Sequence, residues 1–388
     1  MKILYVTSKV PYPVSDGGCF AMMQFIYSLQ DPNWIVDGFI FSTQKHPFLK
    51  ASSDYLSNYF RKIQTLELDT SVKPFAAFWH LITRNNYNLK RFQSSQLETA
   101  LKKQLNEDYD IVIFDSLFAA ALLPKLKQHF RSRFIVRAHN VEHEIWRTLA
   151  DEEKNKLKKQ YLKALYQTLE KEEAQILNVA DQIWTMSEDD SKFMKLKNIS
   201  TPIHYIPVAI EQSDEKADLT KSTCFHLGSM NWQPNIEAVN YLAVQLWSKN
   251  SALPQLTIAG SHSESIDRSR FPESISVVGR VPNVNQFMQS AGILVSPIQS
   301  GSGIRIKLLE ALALGVPCIT TKLGAAGIDA EAAGILIAET PQEWFAQIEM
   351  VANSIELRTQ NSKKSLAYIS NKHSFAYCKS LIDAALGS

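Results

Sequence analysis

The chain has 388 residues, two to three times the ~150 of a typical domain, so it can bury two separate cores without disulfides or metal. Hydrophobic residues make up 45% and charged residues 21%, and 41 Lys+Arg against 39 Asp+Glu leave a net charge of +2, without the clustered basic excess of a dedicated nucleic-acid binder. Cys19, Cys224, Cys318 and Cys378 are scattered, with no C-x-x-C pair, which argues against a disulfide framework or structural zinc and for a reducing compartment.

Taken in chain order, the opening MKILYVTSKVPYP has too short an apolar run for a signal peptide. No later run approaches the ~18 apolar residues of a spanning helix, so the sequence reads as a cytoplasmic protein. Strands are predicted at Ile3–Thr7, Ile35–Phe41, Ile111–Phe114, Phe134–Arg137 and Ile183–Met186. Continuous apolar strands imply parallel sheets covered on both faces, and the amphipathic stretches between them imply βαβ units and the α/β class. Gly17 and Gly18, after Pro11, Pro13 and Asp16, precede a helix over Cys19–Gln30; alone they read as a turn signal. Residues 75–92 interleave Phe75, Phe78, Trp79, Tyr87 and Phe92 with Arg84, Lys90 and Arg91. That stretch suits an inner-membrane surface and a lipid-linked acceptor; a core helix followed by a solvated loop is the plainer reading. His139 follows the fourth strand with Asn140, Glu142 and His143 beside it, a polar cluster at a strand's carboxyl end, where doubly wound sheets bind ligands. The plainer reading there is a helix entry capped by Asn140, with His143 on the surface. Residues 151–173 read as a charged helix that rests Leu157, Tyr161, Leu165 and Leu169 on the first domain.

The polar segment Ile210–Ser222 reads as an interdomain linker, and the strand series restarts after Tyr205. The second series is Cys224–Leu227, Leu256–Ala259, Ile275–Val278, Ile293–Pro297, Pro317–Thr320 and Gly334–Ala338. The expected organisation is therefore two doubly wound parallel-sheet, Rossmann-like domains facing across a cleft, over residues 1–205 and 206–373. The most informative stretch follows the fourth strand of this series, GSGIRIKLLEALALG from 301 to 315. Gly301-Ser302-Gly303 opens a helix to about Leu314, closed by Gly315. Glycines before a helix let a phosphate reach unpaired amides and the positive end of the helix dipole. Arg305 and Lys307 in the first turn oppose that dipole, which makes sense if they face an anion. Glu310, about a turn further on, suits ribose hydroxyls. A surface helix with solvated charges is the alternative. No third glycine completes a dinucleotide fingerprint, and no Gly-Lys-Ser/Thr follows for a Walker loop.

This segment resembles the donor-site motif of the retaining GT-B glycosyltransferases of family 4, the glycosyl transferases group 1. There it reads E-G-F-G-x-x-x-L-E-A-M-A-x-G-x-P-V, and the chain matches at Gly303, Leu309, Glu310, Ala311, Ala313, Gly315 and Pro317. It looks like a sub-group with G-S-G-x-R-x-K-x-L-E. The opening strand with its Gly17–Gly18 loop, RAHNVE at 137–142, TMSEDD at 185–190 and GSMNWQPN at 228–235 also resemble family segments. Two departures stand out. Ser302 occupies the position of a usual acid eight residues before Glu310, and the loop from Gly228 to Asn235 lacks the usual Arg and Lys. Arg305 and Lys307 are read as compensating from the opposite loop.

The resemblance implies a GT-B enzyme that moves a sugar, with retention, from a nucleotide-diphosphate donor to a hydroxyl of a saccharide or lipid-linked acceptor. The setting would be bacterial polysaccharide or cell-surface glycan biosynthesis. It implies that Gly17, Gly18, Gly228, Ser302, Gly303, Ile304, Arg305, Lys307 and Glu310 bind the donor, and that His139 orients the sugar. It also implies that a helix over 374–388 packs back onto the first domain. No covalent nucleophile is evident, so a same-face displacement assisted by the leaving group is expected, with no metal and no other cofactor. The alternatives are a nucleotide-sugar epimerase of the same fold and a catalytically silent scaffold of polysaccharide assembly.

Overall fold

The structure is a computed structural model that describes residues 1–388 apart from 72, 74–82, 84, 198, 302 and 388. It contains two units, Met1–Val208 with Lys379–Ser388 and Ala209–Cys378.

The first unit holds a seven-stranded sheet in the order β3-β2-β1-β4-β5-β6-β7. Its strands are β1 (Lys2–Thr7), β2 (Ile35–Thr43), β3 (Ile63–Leu68), β4 (Ile111–Asp115), β5 (Arg133–Ala138), β6 (Gln182–Thr185) and β7 (Ile203–Tyr205). All neighbours are parallel. Side chains alternate across such a sheet, and the buried residues divide accordingly. Leu4, Val6, Val112, Phe114, Phe134 and Val136 pack on one face, with Leu97 and Leu169 from covering helices. Ile3, Tyr5, Ile111, Ile113 and Ile135 pack on the other, with Phe25 and Ile26 of the helix Gly17–Ser28 and Ile382 of the helix Phe375–Gly387. That last helix is tied down by polar bonds as well. Arg133 Nη1 donates to the Leu386 carbonyl at 2.7 Å, and Gln182 Nε2 to the Ala385 carbonyl at 2.7 Å.

The second unit holds six parallel strands in the order β10-β9-β8-β11-β12-β13. They are β8 (Cys224–Leu227), β9 (Leu256–Ala259), β10 (Ile275–Gly279), β11 (Ile293–Ser296), β12 (Cys318–Thr320) and β13 (Leu336–Ile337). Val239, Leu242, Trp247 and Trp344 cover the strand residues Leu256, Ile258, Ile293 and Val295. Both sheets are doubly wound: order reverses between β1 and β4 in one and between β8 and β11 in the other, the switch points where such sheets bind ligands.

Several expectations change. β3 and β7 were not foreseen from the sequence: both are edge strands, and their burial is only partial, so neither shows a continuous apolar run. Residues 151–173 are not one helix but the end of Glu142–Glu152 and most of Lys156–Val179. Leu157, in the first turn of the second helix, is 85% exposed rather than packed; the buried stripe starts at Leu162. The polar segment after Ile210 is held to its own unit, Ala217 N donating to Leu314 O and Asp218 N to Gln289 O. Within the aromatic stretch, Tyr87 and Phe92 are buried, while Phe75, Phe78, Trp79 and Arg84 lie outside the described residues. Among the described residues no helix is long and apolar enough to cross a membrane.

Candidate functional site

In the second unit the sequence motif begins with a loop rather than a helix. Gly301 and Gly303 have φ of +90° and +78°, and the helix is Ile306–Ala313, with Arg305 at its N-cap. The Arg305 side chain does not cap. Its Nη1 donates to the Gly303 carbonyl at 2.9 Å and its Nη2 to the Ser300 carbonyl at 3.4 Å, which folds the loop around the guanidinium. Ser300 Oγ in turn donates to Glu237 Oε2 at 2.7 Å. Ile304 is half-buried in the same loop. Ser302 lies outside the described residues.

Lys307, in the first turn, crosses to the end of the neighbouring strand across the switch point. Its Nζ donates to the Leu227 carbonyl at 3.1 Å and to Asn235 Oδ1 at 3.0 Å. Among the described residues no carboxylate lies within 4 Å of it. Burial and the nearby Arg305 charge lower its pKa to about 7, and burial lowers that of Arg305 to about 10. Directly beneath, His226 of β8 is fully buried, bonded through Nδ1 to the Val295 carbonyl at 2.9 Å. Burial and the Lys307 charge push it down to about 3. Glu310, on the same helix as Lys307, has no hydrogen-bond partner for its carboxyl among the described residues, and burial raises that carboxyl to about 7. Cations and a carboxyl that burial drives toward their neutral forms, gathered at one strand end, are the kind of groups that bind a charged, polar ligand.

Gly228 closes the floor. A Cβ there would lie 2.6 Å from the Asn235 side chain that Lys307 uses. The loops after β8 and β9 meet so closely that a Cβ on Gly260 would fall 1.8 Å from the Gly228 carbonyl. Gly260, His226 and Asn235 were not among the sequence candidates. Only the spacing of Asn235 from Gly228 within one short loop hinted at any of them.

In the first unit, Gly17 and Gly18 begin the helix Gly17–Ser28, two residues earlier than expected. Asp16 caps it, accepting from Cys19 N at 2.8 Å, and Lys9 Nζ lies 2.6 Å from the same carboxylate. A side chain at Gly18 would meet that ammonium, its Cβ 2.8 Å from Nζ. No described residue accepts from the Gly17 or Gly18 amide. Asp16, Cys19 and His46 bring ligand-type atoms within 4.8 Å of one another, the one such set among the described residues, but the Lys9 ammonium already neutralises the carboxylate. The chain's D-x-D triplet, Asp108-Tyr109-Asp110, bears on the expectation of a metal-free reaction. It stands at the amino end of β4, where Asp110 accepts from Lys2 N at 2.7 Å and Tyr109 donates to Asp37 at 2.8 Å. This is the end of the sheet opposite to His139.

His139 follows β5, and its Nε2 lies 2.5 Å from Asp115 Oδ1. Arg137 Nη1 is bonded to the same oxygen at 2.8 Å, and the Tyr5 hydroxyl is bonded to Oδ2. Asp115 and Arg137 are paired in register across β4 and β5, and both are buried. Burial alone would raise the Asp115 carboxyl, but the charges of Arg137 and His139 hold it well below the usual carboxylate range. The two residues next to His139 behave otherwise than the helix-entry reading expects. Glu142–Glu152 has Val141 at its N-cap, and Asn140 does not cap it. Glu173, from the following helix, accepts from the Glu142 and His143 amides at 3.0 Å each and bonds His143 Nδ1 at 2.7 Å. His143 is therefore buried and structural. Burial and the Glu173 charge raise the Glu142 carboxyl to about 8.

The structure thus gathers Gly228, Gly303, Ile304, Arg305 and Lys307 at one switch point, with Glu310 further along the same helix, and places His139, Gly17 and Gly18 in the other unit. Residues 221–354 match the family described as Glycosyl transferases group 1. Over 89% of each chain the sequence is 21% identical to an "Uncharacterized 44.6 kDa protein in cps region" of Klebsiella pneumoniae. The fold resembles sucrose-phosphate synthase from Thermosynechococcus elongatus, with a TM-score of 0.69 and 13% identity over 100% of this chain and 98% of that one. It also resembles Anabaena HepE in complex with UDP, at 0.69 and 12% over 100% of both chains. The HepE complex with UDP-glucose gives 0.68 and 12%, over 100% of this chain and 99% of that one. The fold, two parallel-sheet Rossmann-like α/β domains, is that of GT-B glycosyltransferases.

Proposed function

We propose that the chain is a retaining glycosyltransferase that moves a sugar from a nucleoside diphosphate to a hydroxyl of a saccharide or lipid-linked acceptor, in capsule or related surface-polysaccharide assembly. The observation that carries this reading is Lys307: a half-buried ammonium with Arg305 beside it, held among the described residues only by a carbonyl and an amide oxygen. A cation drawn partly out of water without a counter-charge is costly, and a diphosphate arriving at this helix N-terminus would supply the missing charge. The family match over these residues and the UDP carried by HepE support the same ligand class, and the cps-region relative supports the setting.

In this reading Lys307, Arg305 and the amides around Gly303 and Ile304 stabilise the charge that develops on the leaving diphosphate, Glu310 takes the ribose hydroxyls, and Gly228 keeps the floor open for the phosphates. The Gly17 and Gly18 amides and His139 act on the reacting sugar. Positioning and electrostatics supply the catalysis, without a metal or a covalent nucleophile. The test is calorimetry with UDP, GDP, ADP and NAD on the wild type, Lys307→Met and Glu310→Ala. One diphosphate binding tightly, weakened by both substitutions, supports the reading. Because the empty ammonium titrates near neutrality, binding at pH 8 takes up a proton, so the heat should vary with the ionisation enthalpy of the buffer. Failure of every nucleotide to bind removes the donor site; binding without turnover on any acceptor moves the scaffold reading forward.

A further inference from the structure

Asn235 stands in the first turn of the helix Gln233–Asn240 and reaches across to Lys307, and its residue type is out of keeping with its place. A helix N-terminus favours a carboxylate, and a carboxylate at 235 would also pair with the ammonium that now lies 3.0 Å from the Asn235 oxygen. A neutral amide is there instead. No acidic residue occupies the first turn of this helix, and Glu237, further along it, accepts from Ser300 Oγ at 2.7 Å and from Gln233 Nε2 at 3.1 Å rather than from Lys307.

The amide is held at both ends. Its Nδ2 donates to the Ser229 carbonyl at 3.0 Å, and its Oδ1 accepts from Lys307 Nζ at 3.0 Å. A carbonyl only accepts and an ammonium only donates, so the two partners fix which way round the amide lies. Lys307 Nζ donates also to the Leu227 carbonyl at 3.1 Å, so the backbone on either side of Gly228 takes part in one small lattice. Gly228 leaves room for it, since a Cβ there would fall 2.6 Å from the Asn235 side chain. The charged and titratable groups around the ammonium leave its charge standing. Arg305 adds a like charge, His226 of β8 is pushed down to about 3 and stays neutral, and Glu310 on the same helix keeps its proton up to about 7.

We propose that Asn235 is a positioning residue for Lys307: it fixes the ammonium at the end of β8 and, being neutral, leaves the whole of its charge to the diphosphate of the donor. This rests on the glycosyltransferase reading for its ligand. An aspartate would hold the lysine as firmly and cancel it.

Calorimetry on the full chain with UDP, GDP and ADP at pH 8, in buffers of low and high ionisation enthalpy, tests the proposal, with a thermal melt of each variant to show that it is folded. Asn235→Ala should weaken the diphosphate that binds the wild type about tenfold, as loss of one hydrogen bond to a charged group does, while the heat still varies with the buffer. In a Lys307→Met background the same substitution should cost nothing further. Asn235→Asp supplies a counter-charge, so the ammonium keeps its proton in the free protein at pH 8. The buffer dependence should then vanish, and affinity should fall at least as far as in Asn235→Ala. If Asn235→Asp does not fold, the cycle of Asn235→Ala with Lys307→Met decides alone. Losses that add in that cycle show that Asn235 acts otherwise than through Lys307; they overturn the proposal and leave the donor site intact. An Asn235→Asp variant that binds as the wild type does, with its buffer-dependent heat, overturns it equally. A wild type that binds none of the three nucleotides removes the donor reading and this proposal with it.

Discussion

At the switch point of the first unit, charge is closed upon itself. Asp115 at the end of β4 meets Arg137, His139 and Tyr5, and toward the opposite end of the sheet Asp37 is held by Arg61 Nε at 2.9 Å and by Tyr109 at 2.8 Å. At the matching position of the second unit, Lys307 reaches only neutral oxygens among the described residues, and the Glu310 carboxyl meets no described partner. The same strand order therefore serves two purposes. One unit spends its buried charges on its own geometry, while the other keeps a cation and a carboxyl in reserve for something that is not protein. Breaking a buried pair is strongly destabilising, whereas removing a lone buried charge can stabilise. That asymmetry sets the tests.

The largest effect is expected at Asp115→Ala, which leaves Arg137 buried without its counter-charge. About 3–5 kcal/mol of stability should be lost, measurable by urea unfolding with the buried Trp184 as reporter. Lys307→Met should do the reverse: the melting temperature holds or rises, while diphosphate affinity falls ~100-fold, or about 2.7 kcal/mol. If Lys307→Met destabilises as Asp115→Ala does, the lysine is structural and the comparison fails.

Acidity separates the units next. An unfolded lysine keeps its proton to its usual 10.5 but folded Lys307 only to about 7, so its contribution to stability rises with pH between those values. Folded Glu310 holds a proton from 4.5 to about 7 that the unfolded chain has lost, so its contribution falls across that window. Together they put a stability minimum near neutrality in the unliganded second unit. In the first unit Glu142 follows Glu310, its contribution falling as pH rises from 4.5 to about 8, but Asp16 behaves oppositely. Burial opposes the ionisation of Asp16, but Lys9 overcomes it and lowers the carboxyl from 3.8 to about 2; that stabilisation is present above 3.8 and lost as pH falls toward 2. Melting temperatures across pH for the wild type and a Lys307→Met/Glu310→Gln double variant should show the neutral dip vanish in the variant. An unchanged profile would break the contrast. The smallest effect belongs to Glu173→Gln, which weakens the cap on Glu142–Glu152 by about 1 kcal/mol and should show first as faster hydrogen exchange at the Glu142 and His143 amides.

The two units also differ in how much of them can be read from sequence. Ser302, Gly303, Ile304, Arg305, Lys307 and Glu310 lie within one 15-residue stretch, so their spacing alone raised the expectation of a helix terminus open to phosphate; the helix itself starts later than expected, because two glycines with positive φ delay it to Ile306. Lys307's actual partners, Leu227 and Asn235, stand 80 and 72 residues away, beyond the reach of local pattern. The first unit's cluster is written in register: Asp115 and Arg137 meet because β4 and β5 align as they do, and in sequence the aspartate merely interrupts an apolar run. Edge strands such as β3 escape for a related reason. Their residues answer to one neighbour and to solvent, and the apolar signal of a buried strand is diluted.

The return of residues 379–388 to the first sheet has a bearing on how the protein comes into being. The second unit, Ala209–Cys378, is an unbroken length of chain and can close on itself as it leaves the ribosome. The first emerges earlier but finishes later: until Ile382 and Ala385 arrive, the groove bordered by Arg133, Gln182 and Trp184 has no lid. Domains ordinarily fold in the order they are synthesised. Here the elder half must wait for the younger, so a nascent chain halted anywhere within the second unit carries a finished domain behind an unfinished one.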